Sequence, residues 1–177
     1  TSITVAGDLL TGANGLWTGI ATTTFDGNTA ATWNDQNATL QNIGYVVVDG
    51  SNKIVSLAGN VAAQSIIIGA DDTLDASASH YDITVYGDWT NNNTFLARNG
   101  EVFFAATSSG QTITTSGDAF YDLSFTGISG AWSFTESTML VNNDFTVATG
   151  TVTLPTATTT IDGSFDATLV PERECIT

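Results

Sequence analysis

The sequence predicts an all-β protein, a mainly parallel β-solenoid (β-helix) of about eight coils of roughly 20 residues each. Three observations lead there. A five-residue phrase returns at one fixed spacing of about 40 residues, at Thr1–Val5, Gln41–Tyr45, Tyr81–Val85, Tyr121–Phe125 and Ile161–Phe165. Its third position is Ile3, Ile43, Ile83 and Leu123, failing only at Gly163, and its fifth is Val5, Tyr45, Val85, Phe125 and Phe165. Small residues stand between them (Thr4, Gly44, Thr84, Ser124, Ser164). Apolar–small–apolar is the period of a strand with one buried face. The second observation is composition. The chain is rich in β-branched Thr and nearly without the helix formers Glu, Lys, Arg and Met. The third is punctuation, with turn clusters at short and even intervals.

Taken in order, predicted strands cover Ser2–Val5, Thr22–Phe25, Asn42–Val48, Ile54–Leu57, Ser65–Ile68 and Ile83–Trp89. Later ones cover Val102–Ala105, Gln111–Thr114, Tyr121–Phe125, Ala131–Phe134, Met139–Val147, Thr151–Leu154 and Ile161–Phe165. Each is a short apolar or alternating run. The turns between them include Gly12–Gly15, Asp49–Asn52, Asn91–Asn93, Ser108–Gly110 and Gly127–Gly130. Only Asp71–Ser79 resembles a helix turn. Forty residues is too long for one circuit of a narrow solenoid and suits two coils of about 20. The alternative is two β-sandwich domains, whose matching strands would also recur evenly. That arrangement would need a linker near Gly69–Ser79, and the repeated phrase crosses this region in register. The expected organisation is one solenoid domain over residues 1–169 and a short polar tail over residues 170–177.

Net charge is −15, with Lys53, Arg98 and Arg173 the only fixed cations. Such a surface repels phosphate backbones and anionic lipids, so neither nucleic acid nor the membrane is an expected partner. Cations, neutral glycans or further copies of the chain fit better. Many acids sit beside Gly or Asn, as in Asp26-Gly27-Asn28, Asp49-Gly50, Gly87-Asp88, Gly117-Asp118 and Asp162-Gly163, which reads as turn chemistry. Cys175 is the sole cysteine, so no internal disulfide forms. No apolar run reaches the ~20 residues of a membrane span. Thr1 opens directly on a strand, as in a processed protein or an excised segment.

The middle of the chain carries a more specific pattern. Gly87-Asp-Trp-Thr-Asn-Asn-Asn-Thr-Phe95 is followed by Gly100-Glu-Val-Phe-Phe104, Gly110-Gln-Thr-Ile113 and Phe120-Tyr-Asp-Leu-Ser-Phe125. This succession resembles the repeats of very large secreted bacterial surface proteins, of the filamentous-haemagglutinin-like and autotransporter-passenger kind. Those repeats carry a G-D-W/F-T-N-N-G-T-F phrase and G-T-V-x-F, Q-T-I and F-Y-N-L strands. Asn93 stands where the pattern has Gly, and Asp122 where it has Asn; neither changes a buried position. The resemblance implies a right-handed parallel β-solenoid serving as a surface stalk, adhesin or fibre outside a bacterial cell.

Catalytic chemistry is thin. His80 is the only histidine, and no nucleophile-elbow phrase accompanies it. Four nitrogen and sulfur ligands cannot be assembled from His80 and Cys175, which excludes a zinc site of that kind. Paired carboxylates such as Glu101 and Glu136 stand far apart in the repeat and lack basic neighbours to steady developing negative charge. No catalytic, cofactor-binding or metal residue is therefore assigned, and no enzyme activity is expected. Asp71, Asp72 and Asp75 form one tight acidic group of the hard-oxygen type that suits a structural calcium ion, without the spacing of an EF-hand loop. Thr-x-Thr pairs occur at Thr22/Thr24, Thr112/Thr114, Thr151/Thr153 and Thr156/Thr158/Thr160. Such pairs can stack into a flat ladder of the type ice-binding proteins use, but they do not recur at one period, so no continuous ladder is expected.

These readings converge on an extracellular structural module at the cell surface. Its coils would stack end to end with other copies into a filament or surface layer. An adhesin segment that binds glycans or other cells is the alternative, and a polysaccharide-processing enzyme a more remote one.

Overall fold

The computed structural model describes residues 2–167, which wind as a parallel β-solenoid of about eight coils with three faces. The first face holds β1 (Ser2–Val5), β3 (Thr22–Phe25), β5 (Tyr45–Val48), β8 (Ser65–Ile68), β11 (Trp89–Asn91), β14 (Gln111–Thr114), β16 (Ala131–Phe134) and β19 (Thr151–Thr153), bonded in that order. The second face holds β2 (Leu9–Thr11), β4 (Ala31–Asp35), β6 (Ile54–Leu57), β9 (Thr73–Asp75) and β12 (Thr94–Leu96), then misses one coil and resumes with β17 (Thr138–Val141) and β20 (Thr158–Ile161). The third face holds β7 (Val61–Ala63), β10 (Ile83–Val85), β13 (Glu101–Phe104), β15 (Asp122–Phe125), β18 (Phe145–Val147) and β21 (Phe165–Ala167). The strand pairs are parallel throughout the described residues. Two sandwiches would need antiparallel pairs and two cores. One contiguous core runs from Phe25 to Phe145.

Register explains both the success and the failure of the 40-residue phrase. Ile83 pairs with Val102 and Val102 with Leu123, so Ile83 and Leu123 lie in one inward column two coils apart. Val85, Phe104 and Phe125 form the neighbouring column. Coils are unequal, however: Ser2 pairs with Thr22, but Thr22 pairs with Tyr45 and Thr90 with Thr114. A fixed spacing therefore slips around the coil. Ile3 and Val5 sit half-buried on the first face, while Ile43, fully buried, bonds to Ala62 at the edge of the third. Tyr45 was expected to point inward and instead points out, 46% exposed, because β5 alternates with Val46 and Val48 inside. Phe165 pairs with Phe145 in the Leu123 column rather than the Phe125 column, and is 57% exposed.

The predicted strands Ile83–Trp89 and Met139–Val147 are each two strands joined across a corner, β10 with β11 and β17 with β18. The helix-like Asp71–Ser79 contains β9 and turns, with no helix. Here the backbone N–H of Thr73 bonds to the carbonyl of Lys53 in the preceding coil. A partner one coil away outweighs local propensity.

The interior changes character along the axis. Coils around β5 to β8 are filled by Ile43, Val46, Val48, Val55, Val61, Ile66 and Ile68. From β11 onward the filling is aromatic. Trp89 packs edge-on to Phe95 at 4.8 Å, Phe104 stacks on Phe125 at 5.2 Å, and Phe125 meets Trp132 at 5.0 Å. Each such side chain contributes roughly 1.5–3 kcal/mol through burial. Corners need residues without bulk. Gly44 has φ +88°, and a Cβ there would lie 2.2 Å from the carbonyl oxygen of Ala21 in the coil below.

Candidate functional site

Two kinds of surface could do work in this molecule: the rows of polar side chains that stack from coil to coil, and the open edges of the stack.

The acids are mostly construction. Turn chemistry accounts for some of them: Asp35 Oδ1 accepts the N–H of Asn37 at 3.0 Å, and Asp75 Oδ1 that of Ser77 at 2.8 Å. More often the acceptor serves another coil. Asp8 Oδ1 takes the Thr32 N–H at 2.7 Å, Asp88 Oδ1 that of Thr112 at 2.7 Å, and Asp144 Oδ1 that of Ser164 at 2.8 Å. At strand ends, where the ladder leaves donors over, a carboxylate one coil away receives them. The third face carries a column of this kind. Asn60 Oδ1 accepts from Asp82 N–H, Asp82 Oδ1 from Glu101 N–H, and Asp122 Oδ1 from Asp144 N–H, at 2.9–3.0 Å. Burial holds the Glu101 carboxyl above the ordinary glutamate range; the Ser124 hydroxyl donating to it opposes that, and Asp122, Asp82 and Asp144 reinforce it.

The break in the second face is mended the same way. Between β14 and β15 no second-face strand forms, so β12 loses its next partner. Asp118 fills in: its Oδ2 accepts from Phe95 N–H at 2.6 Å and from Asn91 Nδ2 at 2.9 Å. Glu136 Oε1 in turn accepts from Thr115 and Ser116 N–H, at 2.6 and 2.9 Å. Beside this break lies a cavity of about 410 Å³, lined by Thr115, Gly117, Thr138, Met139, Leu140, Thr158 and Thr160.

The acidic group expected as a calcium candidate is divided among separate tasks. Asp72, fully buried, accepts from Gly50 N–H at 3.1 Å and Lys53 N–H at 2.7 Å. Asp71 accepts from Asn52 N–H at 3.2 Å. Asp75 pairs with Arg98 at 2.9 Å, and that guanidinium holds its carboxyl below the usual range. Among the described residues no three His, Cys, Asp or Glu side chains come together where they could hold a metal ion. His80 is exposed at φ 60°, its Nδ1 accepting from Asn99 N–H at 3.2 Å. Glu101 lies on the third face and Glu136 at the corner after β16, each committed to the bonds given above. Cys175 and the predicted tail lie outside the described residues.

Sequence reasoning counted Lys53 only as a surface charge and missed its burial. Its side chain is fully buried and spans the coil between, with Nζ donating to the carbonyl of Ala6 at 2.6 Å. Asp8 feels that charge, though its lowered pKa comes first from the Thr32 N–H. The one available signal was a single lysine amid a strongly acidic chain.

The edges are the remaining surface. At one end Leu10, Leu16 and Ile20 are 58%, 78% and 64% exposed, and Ile3, Leu16, Trp17 and Ile20 line a cavity of about 360 Å³. At the other, Phe165 stacks on Phe145 at 5.2 Å, its outer ring face uncovered among the described residues.

The class of protein is thereby defined as a β-solenoid repeat protein. No family model, curated protein or solved structure matches the chain.

Proposed function

We propose that this chain is an extracellular structural module whose coil stack is continued end to end by further copies, forming a filament or layer at the cell surface. One observation carries the reading. Both end coils of the described stack combine strand edges unpaired among the described residues with apolar side chains, Leu10, Leu16 and Ile20 at one end and Phe165 at the other. An edge of this kind is a template for another parallel coil. Because the two edges of the described stack differ, pairing is head to tail, which gives an open filament where the rotation between copies does not close a ring. The resemblance of Gly87–Phe125 to the repeats of secreted bacterial surface proteins supports a place outside the cell. Negative-stain microscopy of the purified chain tests this: uniform filaments are expected, thinned out by Phe165→Asp. Stable monomers at high concentration would overturn it. The threonine-lined cavity beside the second-face break favours a second reading, a neutral glycan bound there by an adhesin segment, and glycan-array binding abolished by Thr138→Trp would select it.

A further inference from the structure

Three Asp–Gly dipeptides stand at corners of the coils, each directly after a strand: Asp26-Gly27 after β3, Asp49-Gly50 after β5 and Asp162-Gly163 after β20. All three aspartates are exposed, so contact with solvent does not tell them apart. Their glycine nitrogens do. Gly50 N–H donates to Asp72 Oδ2 at 3.1 Å and Gly163 N–H to the Asn143 carbonyl at 3.0 Å, each acceptor lying in a neighbouring coil. Gly27 N–H instead turns back on the residue before it and donates to Asp26 Oδ1 at 2.5 Å. Space separates the three in the same way. A Cβ at Gly50 would lie 2.2 Å from the Gly27 carbonyl oxygen, and one at Gly163 would lie 2.6 Å from the Asn143 backbone. At Gly27 the nearest atom would be Ala6 Cβ at 3.8 Å.

We propose that Asp26–Gly27 is a site of spontaneous backbone modification, isomerising through a cyclic imide to isoaspartate while the protein is folded. A carboxyl C–O bond is about 1.2–1.3 Å long, so Gly27 N lies within about 3.8 Å of Asp26 Cγ. Reacting atoms held for attack stand ~3–3.5 Å apart, and little further approach is needed. In the carboxylic acid form the nitrogen attacks Cγ. An N–Cγ bond forms, the Cγ–OH bond breaks, and the hydroxyl leaves as water with the nitrogen's proton. One water then opens the five-membered ring. Cleavage between the nitrogen and the Asp26 backbone carbonyl carbon leaves the chain running through Cβ and Cγ; cleavage of the new bond restores aspartate. Water is the sole co-reactant, and glycine brings no Cβ to obstruct the ring. At Asp49 and Asp162 the nitrogen would first have to give up an inter-coil bond, and the neighbouring coil occupies the space a turning peptide needs. The added methylene at Asp26 falls between two inter-coil bonds, Asp26 N–H to the Val5 carbonyl at 2.9 Å and Ser51 N–H to the Gly27 carbonyl at 3.2 Å. Isomerisation therefore loosens the corner that ties the first three coils together.

The test ages the purified chain in mildly acidic buffer below its melting transition, with circular dichroism confirming that it stays folded. Electron-transfer fragmentation in the mass spectrometer then locates isoaspartate, and loss of one water locates the imide. In the folded chain both should appear at Asp26 on the order of ten-fold or more above Asp49 and Asp162. In urea the preference should vanish, because all three dipeptides are then equally free. Hydrogen exchange at Ser51 should accelerate with age in the unaltered chain and not in Asp26→Glu, whose longer carboxyl would have to close a six-membered ring. Equal isoaspartate at the three positions of the folded chain overturns the proposal, as does its absence from Asp26. A preference for Asp26 that survives unfolding also overturns it, since the cause would then be local sequence and not the fold. Ageing that loosens Ser51 equally in Asp26→Glu contradicts the structural consequence. None of these readouts depends on filament assembly.

Discussion

The first and second faces are made from the same coils, yet one carries eight strands without a gap and the other carries five, stops and resumes with two. The first face has well-formed strands because its inward positions, Val46, Ile66, Trp89 and Ile113, are large, apolar and in one register. The second face has strands of similar length with buried Trp33, Val55, Leu74 and Phe95, but where Thr115–Ala119 forms no strand the backbone donors fall to Asp118 and Glu136. Side chains can thus stand in for a missing ladder, at the cost of negative charge. Much of the acidity of this protein is the residue of that substitution.

The largest effect should come from charging the continuous face. Ile66→Asp places an unpaired carboxylate in a fully buried column and should abolish folding, seen as loss of the β circular-dichroism signal. Gly44→Ala should cost about 1–3 kcal/mol in urea melts, because it combines positive φ with a clash against Ala21. Asp118→Ala leaves the Phe95 N–H and the Asn91 amide without their carboxylate. A loss of about 1–3 kcal/mol is expected, with hydrogen exchange accelerated at Phe95 and unchanged at Ile66. Equal acceleration at both positions would mean that the two faces are not separable.

A smaller effect concerns pH. Glu101 holds its proton to higher pH when folded than unfolded, so the stability it provides is present at low pH and lost as pH rises from the unfolded value through the folded one. Asp75 runs the other way, its contribution present above the unfolded value and lost as pH falls through the lowered one. Glu101→Gln should remove the first trend and raise Tm slightly at pH 7, while leaving the second. Smallest of all, Arg98→Ala opens a pair whose arginine is exposed and whose Asp75 is partly buried; it should lower Tm slightly and flatten the Asp75 trend.

Legibility did not follow the faces: Ile54–Leu57 on the second face was read to the residue, whereas Ala31–Asp35 on the second and Trp89–Asn91 on the first were not. First-face strands such as Ser2–Val5, Thr22–Phe25, Ser65–Ile68, Gln111–Thr114 and Ala131–Phe134 could be read to the residue, because each is a run of β-branched, apolar or alternating residues. Leu9–Thr11, Thr73–Asp75 and Thr94–Leu96 were not, since three residues give no period and their stability comes from a neighbouring coil. The carboxylates were readable as turn residues but not as inter-coil acceptors, for their partners lie about one coil away in sequence. The reach of Lys53 to Ala6 was hidden for the same reason: it depends on register, which unequal coils conceal.

Register is accordingly the claim to test. In a Cys175→Ser background, Thr24→Cys and Val47→Cys are outward neighbours on adjacent coils, whereas Thr24→Cys and Val46→Cys face opposite sides of the sheet. The first pair should oxidise to an intramolecular disulfide in the folded protein and the second should not. Cross-linking of the second pair in preference to the first would contradict the stacking described for this chain.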